Sequence, residues 1–135
     1  MLADSFVARD DEAKSFDSTS WPKDDLFESG GLTDLELSTL WTILDGRVWE
    51  AEILDEFTHL EEDQGDEWLV RLPDAFVAKL ADATPAEMDV ARKAWAATEE
   101  IACDPGQLVP VTSNLQRLAQ NAKASGRAMY LSGSI

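Results

Sequence analysis

The chain has 135 residues, of which 44% are hydrophobic and 28% charged, a composition typical of a single soluble globular domain. It contains 27 acidic and only 11 basic side chains, so its formal net charge at pH 7 is −16. Proteins bind nucleic acids largely by neutralising phosphates with Lys and Arg. We therefore expect no direct phosphate contacts with DNA or RNA and no binding to anionic membrane surfaces.

The sequence gives no sign of a membrane span, a secretion signal or a cofactor motif. No apolar run approaches the roughly 20 residues that a spanning helix needs, and residues 1–11 carry acidic side chains where a signal peptide has basic ones. Cys103 is the single cysteine, which excludes an internal disulfide and fits a reducing cytoplasm. Because the chain has neither a GxGxxG nor a GxxxxGK[ST] motif, we expect no cofactor.

The negative charge is confined to one half of the chain. Residues 1–67 hold 20 Asp and Glu against 4 Lys and Arg, whereas residues 68–135 hold 7 of each kind. An asymmetry of this kind suggests an acidic face directed at a basic partner, although a purely solubilising surface has the same composition.

The first 20 residues contain few large apolar side chains and are predicted to form a loosely ordered acidic arm. Phe6, Phe16 and Trp21 could still dock onto the body. Residues 21–135 are predicted to form a single globular domain, which begins at Trp21 because a residue before proline favours extended backbone.

The clearest predicted helix covers residues 33–45. Thr33 and Glu36 form a capping box, in which each side chain bonds to the other residue's backbone N–H. Apolar residues then recur at helical spacing, and Gly46 follows at the position of a left-handed C-cap.

Residues 48–62 are ambiguous between a helix and a hairpin. Trp49, Ile53, Phe57 and Leu60 lie at helical spacing, but the β-branched and aromatic content also permits two strands. We favour a helix to about Thr58, then a turn, then a short strand over residues 67–72.

Three further helices and a strand complete the prediction. Pro73 suits the first position of a helix over residues 73–82, and a second capping box opens a helix over residues 84–102. A last helix over residues 111–125 precedes a short strand over residues 127–131.

These elements predict a helix-rich α+β domain, with four or five helices packed on a small sheet of two or three strands. The predicted core consists of apolar residues at the buried positions of these elements, namely Leu37, Leu40, Trp41, Leu44, Ile53, Phe57, Leu69, Phe76, Leu80, Ala91, Trp95, Leu115, Leu118 and Tyr130.

Catalytic chemistry has weak support. His59 is the only histidine and lies close to Glu61, Glu62 and Asp63, which permits a small metal-dependent or acid–base hydrolase. No motif surrounds it, however, and Cys103 has no activating group near it in sequence. We therefore assign no catalytic or metal-binding residue.

The tryptophans and carboxylates give the leading functional hypothesis. Trp41 and Trp95 fall on apolar helix faces, whereas Trp21 and Trp49 border acidic stretches. An aromatic ring beside carboxylates is typical of a surface that receives Arg or Lys, although all five tryptophans could equally belong to the core. The candidate partner-binding residues are Trp21, Trp49, Glu50, Glu52, Asp55, Glu56, Glu61, Glu62 and Asp63.

On this basis we expect a non-enzymatic protein-binding domain whose acidic N-terminal half engages a basic protein partner. Its size and acidity resemble those of bacterial toxin-immunity proteins, in composition only. A homodimeric structural module, associating through an apolar helix face, is a further alternative.

The order of elements in residues 68–131 is also similar to that of the C-terminal part of the YfbM-like bacterial proteins. The matching features are the helix that carries Ala91 and Trp95, the turn at residues 104–106, and the last helix leading through Gly126 into a strand. That family has no established activity, so the resemblance implies none.

Overall fold

The computed structural model describes residues 2–64 and 67–134. For residues 2, 61–64, 67 and 134 it describes the backbone without the side chain. All structural statements below refer to this part of the chain.

Five antiparallel strands form one sheet. The strands are β1 (Leu2–Ala8), β2 (Leu26–Gly30), β3 (Thr58–Gln64), β4 (Glu67–Arg71) and β5 (Ala128–Ser134), in the order β2-β1-β5-β4-β3. The predicted α+β class is confirmed. The predicted sheet of two or three strands is wrong, because the described residues form five.

The described α-helices are α1 (Asp34–Asp45), α2 (Asp74–Asp82), α3 (Pro85–Ala96) and α4 (Val109–Ser125). Short 3₁₀ helices lie at Ala13–Ser15, Lys23–Asp25, Ala51–Glu56 and Pro105–Leu108.

The largest correction concerns the chain start, which we expected to be a loosely ordered arm. Residues 2–8 instead form β1, which pairs with β2 on one side and with β5 on the other. Both faces of β1 are buried, with Val7 in the helix-side cluster and Phe6 in a second cluster behind the sheet. The composition concealed this strand because Ala3 and Ser5 are small and nevertheless fully covered.

The connection after β1 covers the second face of the sheet. Phe16 stacks on Phe6 with 3.9 Å between ring centroids, and Trp21 meets both rings edge-on. The indole N–H of Trp21 donates to the carbonyl of Val7 at 3.0 Å. Most of the predicted arm is therefore part of the folded body, held by the aromatic residues that the sequence suggested as anchors.

The ambiguous segment forms a 3₁₀ helix followed by β3, which pairs with β4. The predicted helix over 48–58 is wrong, since Ala51–Glu56 forms a 3₁₀ helix and β3 begins at Thr58. The strand predicted at residues 67–72 is confirmed as β4. Helical spacing was misleading because the apolar residues do not share a face: Ile53 and Phe57 join the helix-side core, whereas Leu60 packs behind the sheet.

The helix starts follow their local signals. Both capping boxes are present, at Thr33 with Glu36 and at Thr84 with Glu87, and Gly46 and Gly126 end α1 and α4 in the left-handed conformation. The helix predicted over residues 84–102 ends earlier, at Ala96.

This early end has a local cause. Thr98 donates its hydroxyl to the carbonyl of Trp95 at 2.7 Å, and the chain folds back so that the N–H of Cys103 bonds to the carbonyl of Ala96 at 3.1 Å.

The four α-helices pack on one face of the sheet around a continuous apolar core. Trp95 is fully buried, and its indole N–H donates to the backbone carbonyl of Glu36, which ties α3 to α1. All predicted core residues are buried except Leu44, which is half-buried.

Gly133 leaves no room for a side chain. It lies opposite Trp68 on the neighbouring strand, and the indole occupies the space that a Cβ atom on residue 133 would need. We expect Gly133→Ala to lower the free energy of unfolding by about 1–3 kcal/mol, as overpacked cores do. Gly31→Ala is the control, since its added methyl meets no atom and its backbone is not left-handed. Urea unfolding of both variants tests this; equal stabilities would contradict it.

Tyr130, the only tyrosine, is buried on the second face of the sheet, so the titration of its hydroxyl reports on the contacts there. Its hydroxyl donates to the carboxylate of Asp10, which also accepts from Nε of Arg71 at 3.0 Å. Burial and the Asp10 carboxylate raise the pKa of Tyr130 to about 12.

We predict a phenolate absorbance midpoint near this value in the native protein and near pH 10 in urea, where the phenol has its ordinary pKa of about 10. Because the native pKa lies above the unfolded one, the stability that the neutral phenol contributes is present below about pH 10 and is lost as the pH rises towards 12. Asp10→Asn should lower the native midpoint, whereas Asp11→Asn should not. An unchanged midpoint in Asp10→Asn would refute the contact.

Candidate functional site

The predicted acidic surface contains a concave site beside the C-terminus of α1. Gly46 ends the helix, and the chain then runs outward before the 3₁₀ helix at Ala51–Glu56. A cleft of about 520 Å³ lies here, called the acidic cleft below, and its lining residues are Arg47, Val48, Glu50, Glu52, Ile53 and Glu56.

Contacts with α1 fix the position of this segment. The guanidinium of Arg47 lies over the indole of Trp41, 4.7 Å from the ring centroid, and pairs with Asp45 at 3.1 Å. The indole N–H of Trp49 donates to the hydroxyl of the buried Ser38 at 2.9 Å. The loop therefore has defined anchors on both sides of Val48.

The exposed apolar side chains lie beside unpaired carboxylates. Val48 is 86% exposed and Trp49 is 36% exposed, while Ile53 is buried and lies at the base of the cleft. Glu50, Glu52 and Glu56 are exposed and form no ion pair with any described residue. Since Asp45 already neutralises the only lining cation, the cleft presents uncompensated negative charge around an apolar base.

This arrangement suits a long cationic side chain. The methylene groups of Lys or Arg pack on apolar surface while the charged end remains at the polar rim. The acidic cleft offers Val48 and Ile53 to the methylenes and three carboxylates to the charge.

The structure separates the remaining candidate residues. Asp55 is exposed on the same 3₁₀ helix, outside the cleft lining. Trp21 lies behind the sheet among Phe6 and Phe16 and does not contribute to the acidic cleft. The side chains of Glu61, Glu62 and Asp63 lie outside the described part, although their backbone belongs to β3.

His59 lies on the edge strand β3. Its Nε2 is 3.4 Å from the carboxylate of Asp34, at the start of α1, and it does not line the acidic cleft. Among the described residues, no group of three His, Cys, Asp or Glu side chains could hold a metal ion.

Val48, the most exposed large apolar residue of the described chain, was not among the predicted partner-binding residues. The sequence signal for it was its position, since it is a β-branched residue two positions after the helix-ending Gly46 and outside the apolar stripe of α1. Ile53 was predicted as core, which is correct, but its second role at the base of a cleft depends on the 3₁₀ helix that replaced the predicted α-helix.

A second, apolar cleft of about 320 Å³ lies between α1 and α3. Ile43, Leu44, Ala86, Val90 and Ala91 line it together with Glu87, and Val90 is 67% exposed. Helix faces of this kind can pair between two copies of a chain.

The comparisons with known proteins supply no relative. No family model, no curated protein and no solved structure matches this chain. None of the described helices is long and apolar enough to cross a membrane.

Proposed function

We propose that this chain is a non-enzymatic protein-binding domain whose acidic N-terminal half engages a basic protein partner through the acidic cleft, as an immunity or inhibitor protein does. The supporting observation is the exposure of Val48 and Trp49 beside three carboxylates that have no partner among the described residues. An exposed apolar pair is costly to keep in water unless it is covered in the complex.

The binding energy would come from a small number of residues. Tryptophan is among the residues that most often dominate an interface, and the hydrogen bond to Ser38 holds Trp49 in place before binding. A Lys or Arg of the partner would enter the cleft and pair with Glu50, Glu52 or Glu56. The paired charges would be partly desolvated there, which strengthens their interaction.

The net charge would act on the rate of binding. A charge of −16 attracts a basic partner over distances comparable to the Debye length, about 8 Å at physiological salt. Association should therefore be fast at low salt and should slow as salt is added. The single cysteine is consistent with this function in a reducing, cytoplasmic compartment.

A pull-down with immobilised protein tests the charge contribution. We expect a basic protein to bind from lysate of the source cell and to elute at moderate salt. Glu50→Gln/Glu52→Gln should lose most of this binding, because both substitutions remove charge from the cleft. The control, Glu99→Gln/Glu100→Gln, removes the same charge from exposed positions beyond the end of α3 and should retain it. Equal capture by both double variants, or capture that is insensitive to salt, would contradict the proposal.

Val48→Ala separates binding from folding. Because Val48 is 86% exposed, truncating it should change the free energy of unfolding by less than about 0.5 kcal/mol. It should nevertheless weaken binding of the captured partner by about 3- to 10-fold, roughly the effect of removing one or two buried methyl groups. Calorimetric titration measures the affinity and thermal unfolding the stability. Unchanged affinity would show that Val48 does not contact the partner.

The homodimeric alternative rests on the apolar cleft between α1 and α3 and on exposed Val90. It predicts a dimer in light scattering at high protein concentration that Val90→Glu converts to a monomer. A monomeric wild-type protein under those conditions would exclude it.

A further inference from the structure

A third cleft has the opposite charge to the rest of the protein. It lies where the C-terminal end of β1 and the start of β5 meet the first turn of α2 and the last turn of α4, and its volume is about 520 Å³. Four of the chain's 11 basic side chains line it, against two carboxylates. We call it the cationic cleft; the four are Arg9, Arg71, Lys123 and Arg127.

Two of these cations are held in place by ion pairs. Arg71 pairs with Asp10 at 3.0 Å and with Asp74 at 3.1 Å. Arg127 makes two hydrogen bonds, at 2.7 and 3.0 Å, to the carboxylate of Asp25, and both side chains are mostly buried. These pairs fix two guanidinium groups at the walls of the cleft.

The other two cations are available to a ligand. Arg9 is 66% exposed and its nearest carboxylate oxygens are 3.6 and 3.8 Å away, longer than a charge-assisted hydrogen bond of about 2.7–2.9 Å. Lys123 is 53% exposed, and its Nζ donates to both carboxylate oxygens of Asp82 at 2.7 and 2.8 Å; Asp82 is itself 64% exposed and does not line the cleft. Exposed pairs contribute about 0–1 kcal/mol, so an anion in the cleft can compete for both side chains.

The remaining lining is small and apolar. Val77, Ala78, Ala122 and Ala128 supply it. The positive end of the α2 dipole and the negative end of the α4 dipole both lie here and oppose each other, so the charged side chains determine the sign of the site. A cleft of this volume falls in the range of about 300–1,000 Å³ that is usual for small-molecule sites.

We propose that the cationic cleft binds a small phosphorylated molecule, with the phosphoryl group between Arg9 and Lys123 and a compact apolar body against Val77 and Ala122. A phosphomonoester carries nearly two negative charges at neutral pH, which matches two available cations. A nucleic acid or another long polyanion is disfavoured, because its further phosphates would meet the surrounding negative charge of the chain. The site shares no lining residue with the acidic cleft and is independent of the proposed function.

Calorimetric titration of the full chain with phenyl phosphate at low salt tests the proposal. Inorganic phosphate and phenol, titrated separately, measure the contributions of the charged group and of the apolar ring. We expect saturable binding of one phenyl phosphate, weaker binding of inorganic phosphate and none of phenol. Arg9→Ala/Lys123→Ala should raise the dissociation constant at least about tenfold, the equivalent of roughly 1.4 kcal/mol. Since both side chains are exposed, the double variant should keep the wild-type thermal unfolding temperature.

The matched control is Arg92→Ala/Lys93→Ala, which removes the same charge from α3, away from the cleft. It should bind phenyl phosphate as the wild type does or slightly more weakly. Equal loss of affinity in the two double variants would show a general charge effect and overturn the proposal. Absence of saturable binding to the wild type at millimolar phenyl phosphate would overturn it as well.

Discussion

The pairing of β1 with β5 is the contact on which the rest of the structure depends. The two strands come from opposite ends of the chain and match over seven residue pairs, from Leu2 with Ser134 to Ala8 with Ala128. On the helix side Val7 lies opposite Met129, and on the other side Phe6 lies opposite Tyr130; all four are fully buried. This pairing places β1 inside the sheet, gives Phe16 and Trp21 an aromatic surface to cover, and brings Arg9 beside Arg127 at one end.

Ion pairs between the two halves of the chain explain how the charge asymmetry is accommodated. Three pairs join a carboxylate of the first half to a cation of the second: Asp10 with Arg71, Asp25 with Arg127, and Asp45 with Lys79. The scarce cations thus neutralise acidic residues where the fold brings the halves together. The segment at residues 48–56 receives none, and its carboxylates remain available to an external cation.

The helices could be predicted because their signals are local. A capping box and a left-handed glycine are each contained within a few residues, as at Thr33 with Glu36 and at Gly46. The strands β1 and β2 could not be predicted in the same way, since their partners lie elsewhere in the chain, and the pairing of β3 with β4 was left as an alternative to a helix. Phe6, for example, is buried by Tyr130 and Phe16, and nothing within β1 indicates this.

The two clefts also differ in whether their residues are close together in the sequence. The carboxylates of the acidic cleft are close in sequence, so composition was enough to identify them as a group. The cationic cleft combines Arg9, Arg71, Lys123 and Arg127 from the ends of β1, β4 and α4 and the start of β5, and only the folded chain brings them together. Its positive charge could not be predicted from the composition, because the second half of the chain has no net charge.

We propose that a basic partner recognises the acidic cleft specifically and is not attracted to the negative surface as a whole. Amide chemical-shift mapping of the isotope-labelled protein with a short peptide of alternating Arg and Leu tests it directly. We expect saturable shifts centred on residues 47–56 and on the indole N–H of Trp49. Shifts of equal size at acidic positions remote from the cleft, such as Asp17, Glu99 and Glu100, would contradict it.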